Sequence, residues 1–242
     1  LLFYKIMGDV DMGLYVLLMG VQGAGKGEQA KFIKARYGIP QVSTGDLFRA
    51  MKSREDDLAK EVQALMNAGR LIPDDLTNRM VEERLAQPDA QGGVVLDGYP
   101  RTVGQAEFLE SLLTKKGESI RGVLLFELDL YTAFKRAFGR VTSESGEAYN
   151  IFYLQEDVDV TIEKHPQGDY PPRIVAVHRA SGETLKRRAD DADALAILKR
   201  IDTYVAETTP LVAYYEAKGL LRRIDASQSI TTVNQVVEQL LG

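Results

Sequence analysis

Tyr15-Val16-Leu17-Leu18-Met19-Gly20-Val21-Gln22-Gly23-Ala24-Gly25-Lys26-Gly27 decides how the rest of this chain is read. Its first five residues form an unbroken apolar run, the pattern of a strand buried on both faces. Gly20, Gly23 and Gly25 then allow a tight curl that brings bare backbone N–H groups toward an anion. Lys26 adds a positive charge where the loop passes into a helix, whose unpaired first N–H groups and partial positive charge stabilise phosphate. The spacing Gly20…Gly25-Lys26 fits the phosphate-binding loop G-x-x-x-x-G-K-[ST] except at its last position, where Gly27 replaces the hydroxyl that would ligate magnesium. A glycine turn with a surface lysine is the plainer alternative. The buried strand before the loop and the helix after it weigh against that alternative.

Outward from the loop, the pattern predicts a helix over 28–36 ended by Gly38, then a short strand over 39–43. Helices follow with Leu47, Phe48, Ala50 and Met51 as apolar positions, over 58–68 before Gly69, and after Pro73 with Leu76, Met80 and Leu85 on one face. Further buried strands are expected at 93–97, ending in the carboxylate of Asp97, at 122–128 and at 220–225, with a closing helix over 231–241. Strands alternating with helices imply an α/β fold: a doubly wound, five-stranded parallel sheet with helices on both faces. Tyr15–Met19 is expected at its centre beside 93–97. Residues 150–179 break the rhythm. Val158, Val160 and Ile162 alternate with Asp159, Thr161 and Glu163, the period of a half-exposed strand, and after a turn-rich stretch 174–177 reads as its partner. The expected organisation is an extension over 1–12 and a domain over 13–242. Its core is 13–42, 74–135 and 191–242, with protrusions at 43–73 (helical) and 136–190 (a small β lid).

The 242 residues, 45% hydrophobic and 27% charged, are those of an ordinary globular chain, and the net charge of −5 gives no general affinity for nucleic acid. The absence of cysteine excludes disulfides, thiolate zinc sites and cysteine nucleophiles, so no structural zinc is expected. His165 and His178, with no carboxylate cluster at ligand spacing, read as solvated. The opening stretch from Leu1 to Asp11 is too short for a membrane span, and no other segment is long and apolar enough.

Three further constellations bear on phosphate chemistry. Asp97-Gly98-Tyr99-Pro100-Arg101 ends a buried strand at the ligand-binding edge of such sheets, where Asp97 could hold magnesium directly or through water, or simply end the strand in a turn. Ser43-Thr44-Gly45-Asp46-Leu47-Phe48-Arg49 could bind, or Asp46 could cap a helix. Arg136, Arg140, Arg188-Ala189-Asp190-Asp191 and Arg200 form a basic set, although Arg136 and Arg140 alone could be an exposed i,i+4 face.

As a set these motifs resemble the adenylate kinase family of nucleoside monophosphate kinases over nearly all of residues 13–242. The resemblance implies that Gly23, Ala24, Gly25, Lys26, Gly27, Glu28, Arg136 and Arg140 serve ATP. It implies that Thr44, Arg49, Ile72, Gly98, Arg101, Gln105, Arg188 and Arg200 serve AMP, with Asp97 contacting Mg2+ through water. Lys26, Arg101, Arg140, Arg188 and Arg200 would be the catalytic group. It further implies phosphoryl transfer from MgATP to AMP giving two ADP, by a cytoplasmic monomer without nucleic-acid or membrane partners. Residues 141–180 would be the most mobile part, closing over ATP to exclude water.

The sequence departs from the family pattern in several places. Glu28 stands where threonine is usual and would repel phosphate unless it swings toward Lys31 or solvent or meets the magnesium. Val141 replaces a second lid arginine, Asn150 a histidine, and the lid is long. One extra residue before Arg200 turns a helix by about 100°, so Lys199 could take the place of the last arginine. A kinase for another monophosphate, and a nucleotide-binding protein with weak catalysis, therefore stay open beside the adenylate kinase reading.

Overall fold

The computed structural model describes residues 13–68, 70–153, 156–164, 173–187, 191 and 193–242. In chain order its elements are β1 (Leu14–Met19), α1 (Lys26–Tyr37), β2 (Gln41–Ser43), α2 (Thr44–Met51), α3 (Asp57–Asn67) and α4 (Asp74–Leu85). There follow β3 (Gly93–Asp97), α5 (Val103–Lys115), β4 (Ile120–Glu127), α6 (Leu130–Phe138), β5 (Arg140–Thr142), β6 (Ala148–Asn150), β7 (Val158–Glu163) and β8 (Arg173–His178). The chain ends with β9 (Thr184–Leu185), α7 (Ala194–Thr203), α8 (Thr209–Ala217), β10 (Leu221–Asp225) and α9 (Ile230–Leu241). These elements fall into two compact units. One takes the chain up to Gly20, then Gly25–Glu127 and Ala206–Gly242; the other takes Val21–Ala24 and Leu128–Val205.

The first unit is built on a five-stranded sheet of order β10-β4-β1-β3-β2, and every pairing in it is parallel. The apolar run of β1 sits at the centre because both its faces are covered. Tyr15, Leu17 and Met19 pack with Val94, Leu96, Val123, Leu125 and the buried residues of α5 and α8, while Val16 and Leu18 are equally buried. Burying such side chains contributes about 1.5–3 kcal/mol each. Helix α1 packs on β1, β2, β3 and α9. Its end is set by Gly38, whose left-handed backbone lets its N–H donate to the Lys34 carbonyl. A smaller apolar cluster joins α2, α3 and α4 through Met51, Leu58, Val62, Leu76 and Met80. The Asp56 carboxylate caps α3 by accepting from the Ala59 N–H, and Thr102 caps α5 by accepting from the Gln105 N–H.

The second unit holds the strands that interrupt the α/β rhythm. β5 and β6 form an antiparallel hairpin, and β7-β8-β9 form a three-stranded antiparallel sheet. A small core of Val141, Tyr149, Ile151, Val158, Ala176 and Leu185 holds them together. Helices α6 and α7 pack on each other within this unit.

Three local expectations need correction. β7 alternates as expected, but only Val158 is buried; Val160 and Ile162 remain 40% and 73% exposed, because the apolar side chains on that face have too few neighbours to complete a core. Arg136 and Arg140 do not share a helical face. Gly139 ends α6, and Arg140 begins β5. Asp46 does not cap α2, whose cap position is Ser43; its carboxylate pairs with Arg49 instead. His178 places Nδ1 2.7 Å from the Ser181 hydroxyl and packs its ring on Tyr149, whereas His165 lies outside the described residues, as does part of the 141–180 stretch expected to move. Among the described residues no helix is long and apolar enough to cross a membrane.

Candidate nucleotide site

The glycine loop leaves β1 at Gly20 and enters α1 at Lys26, as its spacing predicts. Gly23 is irreplaceable on steric grounds: its φ is 94°, and a Cβ there would lie 2.3 Å from the Ala133 carbonyl oxygen of α6. The cap position of α1 is Gly25, in a left-handed conformation with φ of 85° and without a side-chain cap. The Lys26 ammonium donates to the Gly20 carbonyl at 2.6 Å, folded back along the loop. Glu28, two residues on, forms an ion pair with Lys31 at 2.9 Å, with the two side chains 44% and 56% exposed. Its carboxylate therefore takes the turn toward Lys31, one of the routes open to it by sequence.

At the same strand edge stands the second constellation. Pairing sets Asp97 level with Leu18 on one side and with Ser43 on the other, so the ends of β1, β3 and β2 are flush. Immediately beyond, the Thr44 hydroxyl donates to the Gly98 carbonyl at 3.0 Å, and Arg101 Nε donates to the same oxygen at 2.9 Å. Arg101 Nη2 lies 3.4 Å from Thr44 Oγ1. Gly98 makes this corner possible with a φ of 76°, and a Cβ there would be 3.0 Å from Thr44 Oγ1. Thr44, Gly98 and Arg101 are thus brought together, with Asp97 beside them. Asp97 receives a 3.5 Å contact from the Gln41 amide.

Gln105 is buried and fully engaged. Its Oε1 accepts from the Arg101 backbone N–H at 2.8 Å, and its Nε2 donates to Asp74 at 2.6 Å. Tyr99 is equally buried and donates to Asn78 Oδ1 at 2.6 Å; burial and the charge of Asp74 push its phenol well above the usual tyrosine range. Arg49 is exposed and paired with Asp46, and Ile72 packs against the small cluster of α2, α3 and α4.

In the second unit the basic residues gather around one acid. Asp191 is completely buried. Its Oδ2 accepts from Arg140 Nε at 2.8 Å and from Arg140 Nη2, and its Oδ1 accepts from Arg200 Nη2 at 3.0 Å. A buried carboxylate is tolerable only when its lone pairs are satisfied in this way. Arg200, not Lys199, enters the cluster, and Lys199 is exposed. Arg136 lies 5.8 Å over the Tyr153 ring. Arg188 lies outside the described residues.

Two participants were not singled out from the sequence. Gln22 Nε2 of the glycine loop donates to Asp191 Oδ1 at 2.6 Å across 169 residues of chain, a pairing no local signal carries. Arg187 stacks 4.3 Å over Phe138 and donates to the Phe138 carbonyl; burial lowers its pKa, with Asp191 opposing.

Among the described residues no three acidic or histidine side chains are placed to hold a metal by themselves. A single half-buried carboxylate, Asp97, beside a loop that lacks the usual hydroxyl suits an ion that keeps most of its waters and arrives on phosphate oxygens.

Comparison with known proteins gives a consistent result. The family profile described as "Adenylate kinase" matches residues 18–220. An adenylate kinase from Moorella thermoacetica is 40% identical over 228 residues, 94% of this chain and 97% of that protein. One from Anaeromyxobacter sp. is 38% identical over 230 residues, covering 95% of this chain and all (100%) of the relative. A third, from Fervidobacterium nodosum, is 36% identical over 228 residues, 94% of this chain and 97% of the relative.

Proposed function

From its membership of the adenylate kinase family, to which this chain belongs, we propose that it transfers a phosphoryl group from MgATP to AMP and releases two ADP. The observation that carries the acceptor half of this reading is the corner of Thr44, Gly98 and Arg101 at the ends of β2 and β3, flush with the end of the strand that feeds the glycine loop.

Phosphoryl transfer needs in-line positioning and charge stabilisation more than covalent chemistry. The acceptor phosphate is already a nucleophilic anion, so no general base is required. In this reading Arg101 exchanges its contact with Gly98 for a planar, bidentate grip on the acceptor phosphate, and Arg49 leaves Asp46 to join it. Lys26 releases the Gly20 carbonyl and follows the donor phosphates, over which the backbone of Gly23, Ala24, Gly25, Gly27 and Glu28 forms a cradle. Arg140, Arg200 and Arg188 answer the charge on the group in flight, and Arg136 lies against the donor nucleotide. Thr44, Ile72, Gly98 and Gln105 line the acceptor nucleoside, and Asp97 would hold the magnesium ion through water. That ion would supply neutralisation of the phosphate charge. The proposal takes the protein as a cytoplasmic monomer.

A coupled assay with AMP, UMP, CMP and GMP as acceptors tests the reading. AMP is expected to be preferred, since Thr44 carries a hydroxyl where a pyrimidine-specific site would place a small apolar group. Equal turnover with UMP or CMP would replace it with a kinase for another monophosphate. Nucleotide binding without turnover would leave only the binding reading.

A further inference from the structure

Gln22 belongs to the glycine loop, yet its side chain is committed to the arginine cluster. Its Nε2 donates to Asp191 Oδ1 at 2.6 Å, and the same oxygen accepts from Arg200 at 3.0 Å, while Oδ2 takes Arg140. Asp191 is completely buried, so each donor lost leaves a charged acceptor short of partners, and neither arginine can move without disturbing the others. The Gln22 Oε1 is buried and has no hydrogen-bond partner among the described residues. The reverse amide orientation would set two oxygens face to face, so the donor must point at Asp191.

We propose that Gln22 is a positioning residue: through Asp191 it ties the conformation of the glycine loop to the placement of Arg140 and Arg200. When phosphate oxygens settle on the loop and draw Gln22 with it, Asp191 Oδ1 loses a donor. Arg200 and Arg140 are then re-aimed together instead of singly. The loop is thereby the sensor and the two guanidinium groups the response. This inference deepens the kinase reading and rests on it.

The test is a double-substitution cycle with Gln22→Met, Asp191→Asn and the pair, read as kcat and KM for ATP and for AMP, ATP affinity by calorimetry, and thermal melting. Gln22→Met keeps the side-chain length and removes the donor. Its kcat/KM for ATP should fall about tenfold, the worth of one hydrogen bond to a charged group. The Gln22→Met change should have almost no further effect once Asp191 is Asn. Gln22→Lys, which restores a donor to Asp191, should recover most of the loss. Effects that multiply independently in the pair, or a melting change with wild-type kinetics, would overturn the proposal. If the wild-type protein bound ATP but made no ADP, the kinase reading would fall; coupling of the two positions in ATP affinity would then still support the link, and its absence would refute it.

Discussion

Replacing Glu28 by threonine probes the most conspicuous oddity of the glycine loop. A full negative charge about 6 Å from a phosphate would cost about 2.8 kcal/mol at an effective dielectric near 20, enough to weaken ATP more than a hundredfold. The structure argues for a far smaller effect. Glu28 is 44% exposed on its side chain and paired at 2.9 Å with Lys31, itself 56% exposed. In that setting the dielectric approaches that of water, the repulsion falls to about 0.7 kcal/mol, and the neighbouring ammonium offsets much of it. Glu28→Thr should therefore tighten ATP by no more than about threefold, and should change stability by less than about 1 kcal/mol for the lost surface pair. Calorimetric titration of both proteins with ATP, with and without magnesium and at two salt concentrations, measures this. Tightening of tenfold or more in both conditions would refute the reasoning and identify Glu28 as a defect in donor binding. Tightening confined to magnesium-free solution would instead make Glu28 a metal ligand.

Arg101→Ala should lower kcat/KM for AMP by about 2–3 kcal/mol, roughly 30- to 150-fold, with the ATP affinity little changed; wild-type steady-state kinetics would remove Arg101 from the acceptor site. Gly98→Ala forces a side chain onto a backbone with φ of 76° and sets its Cβ 3.0 Å from Thr44 Oγ1. It should cost about 1–2 kcal/mol in denaturant unfolding and raise KM for AMP. Amide exchange in β7, where only Val158 is buried, should be faster than in β1 without nucleotide and should slow with a bisubstrate analogue; equal protection in both states would mark the strand as a fixed module. Asp225 has its pKa lowered from 3.8 to about 2 by hydrogen bonds from Gln228 and Ser227. A carboxyl depressed in the folded state stabilises above its unfolded pKa and loses that contribution as pH falls from about 4 toward 2. Asp225→Asn should accordingly melt lower than wild type at pH 7 and converge with it near pH 2 in a pH series of melting curves.

The parallel core was legible because its strands are buried on both faces: 15–19, 93–97 and 122–128 read as apolar runs with no competing pattern. The hairpin of β5 and β6 was not. Each strand is three residues long and buries one side chain, Val141 or Tyr149, too little to register as a period. Arg136 and Arg140 suggested a helical face because spacing alone cannot announce that Gly139 ends the helix between them. Thr44, Gly98 and Arg101 were legible as motif positions, since each lies within a few residues of a strand end. The contact between Gln22 and Asp191 was hidden for the opposite reason. Their bond joins residues 169 positions apart and is decided by the burial of one carboxylate, which no local window contains.

The route of the chain has a consequence for how freely this protein can vary. Strands β4 and β10 are hydrogen-bonded neighbours, closed off by the Ala226 N–H donating to the Glu127 carbonyl at 2.9 Å, yet Leu128–Val205 is threaded between them in sequence. Joining two adjacent strands through a longer detour costs chain entropy only logarithmically, about 0.6 kcal/mol for each doubling of the detour. Residues can therefore be added to or trimmed from the β7–β8 hairpin at almost no expense to the five paired strands. Length changes at the tip of that hairpin leave the strand ends that carry Asp97 and Thr44 where they are.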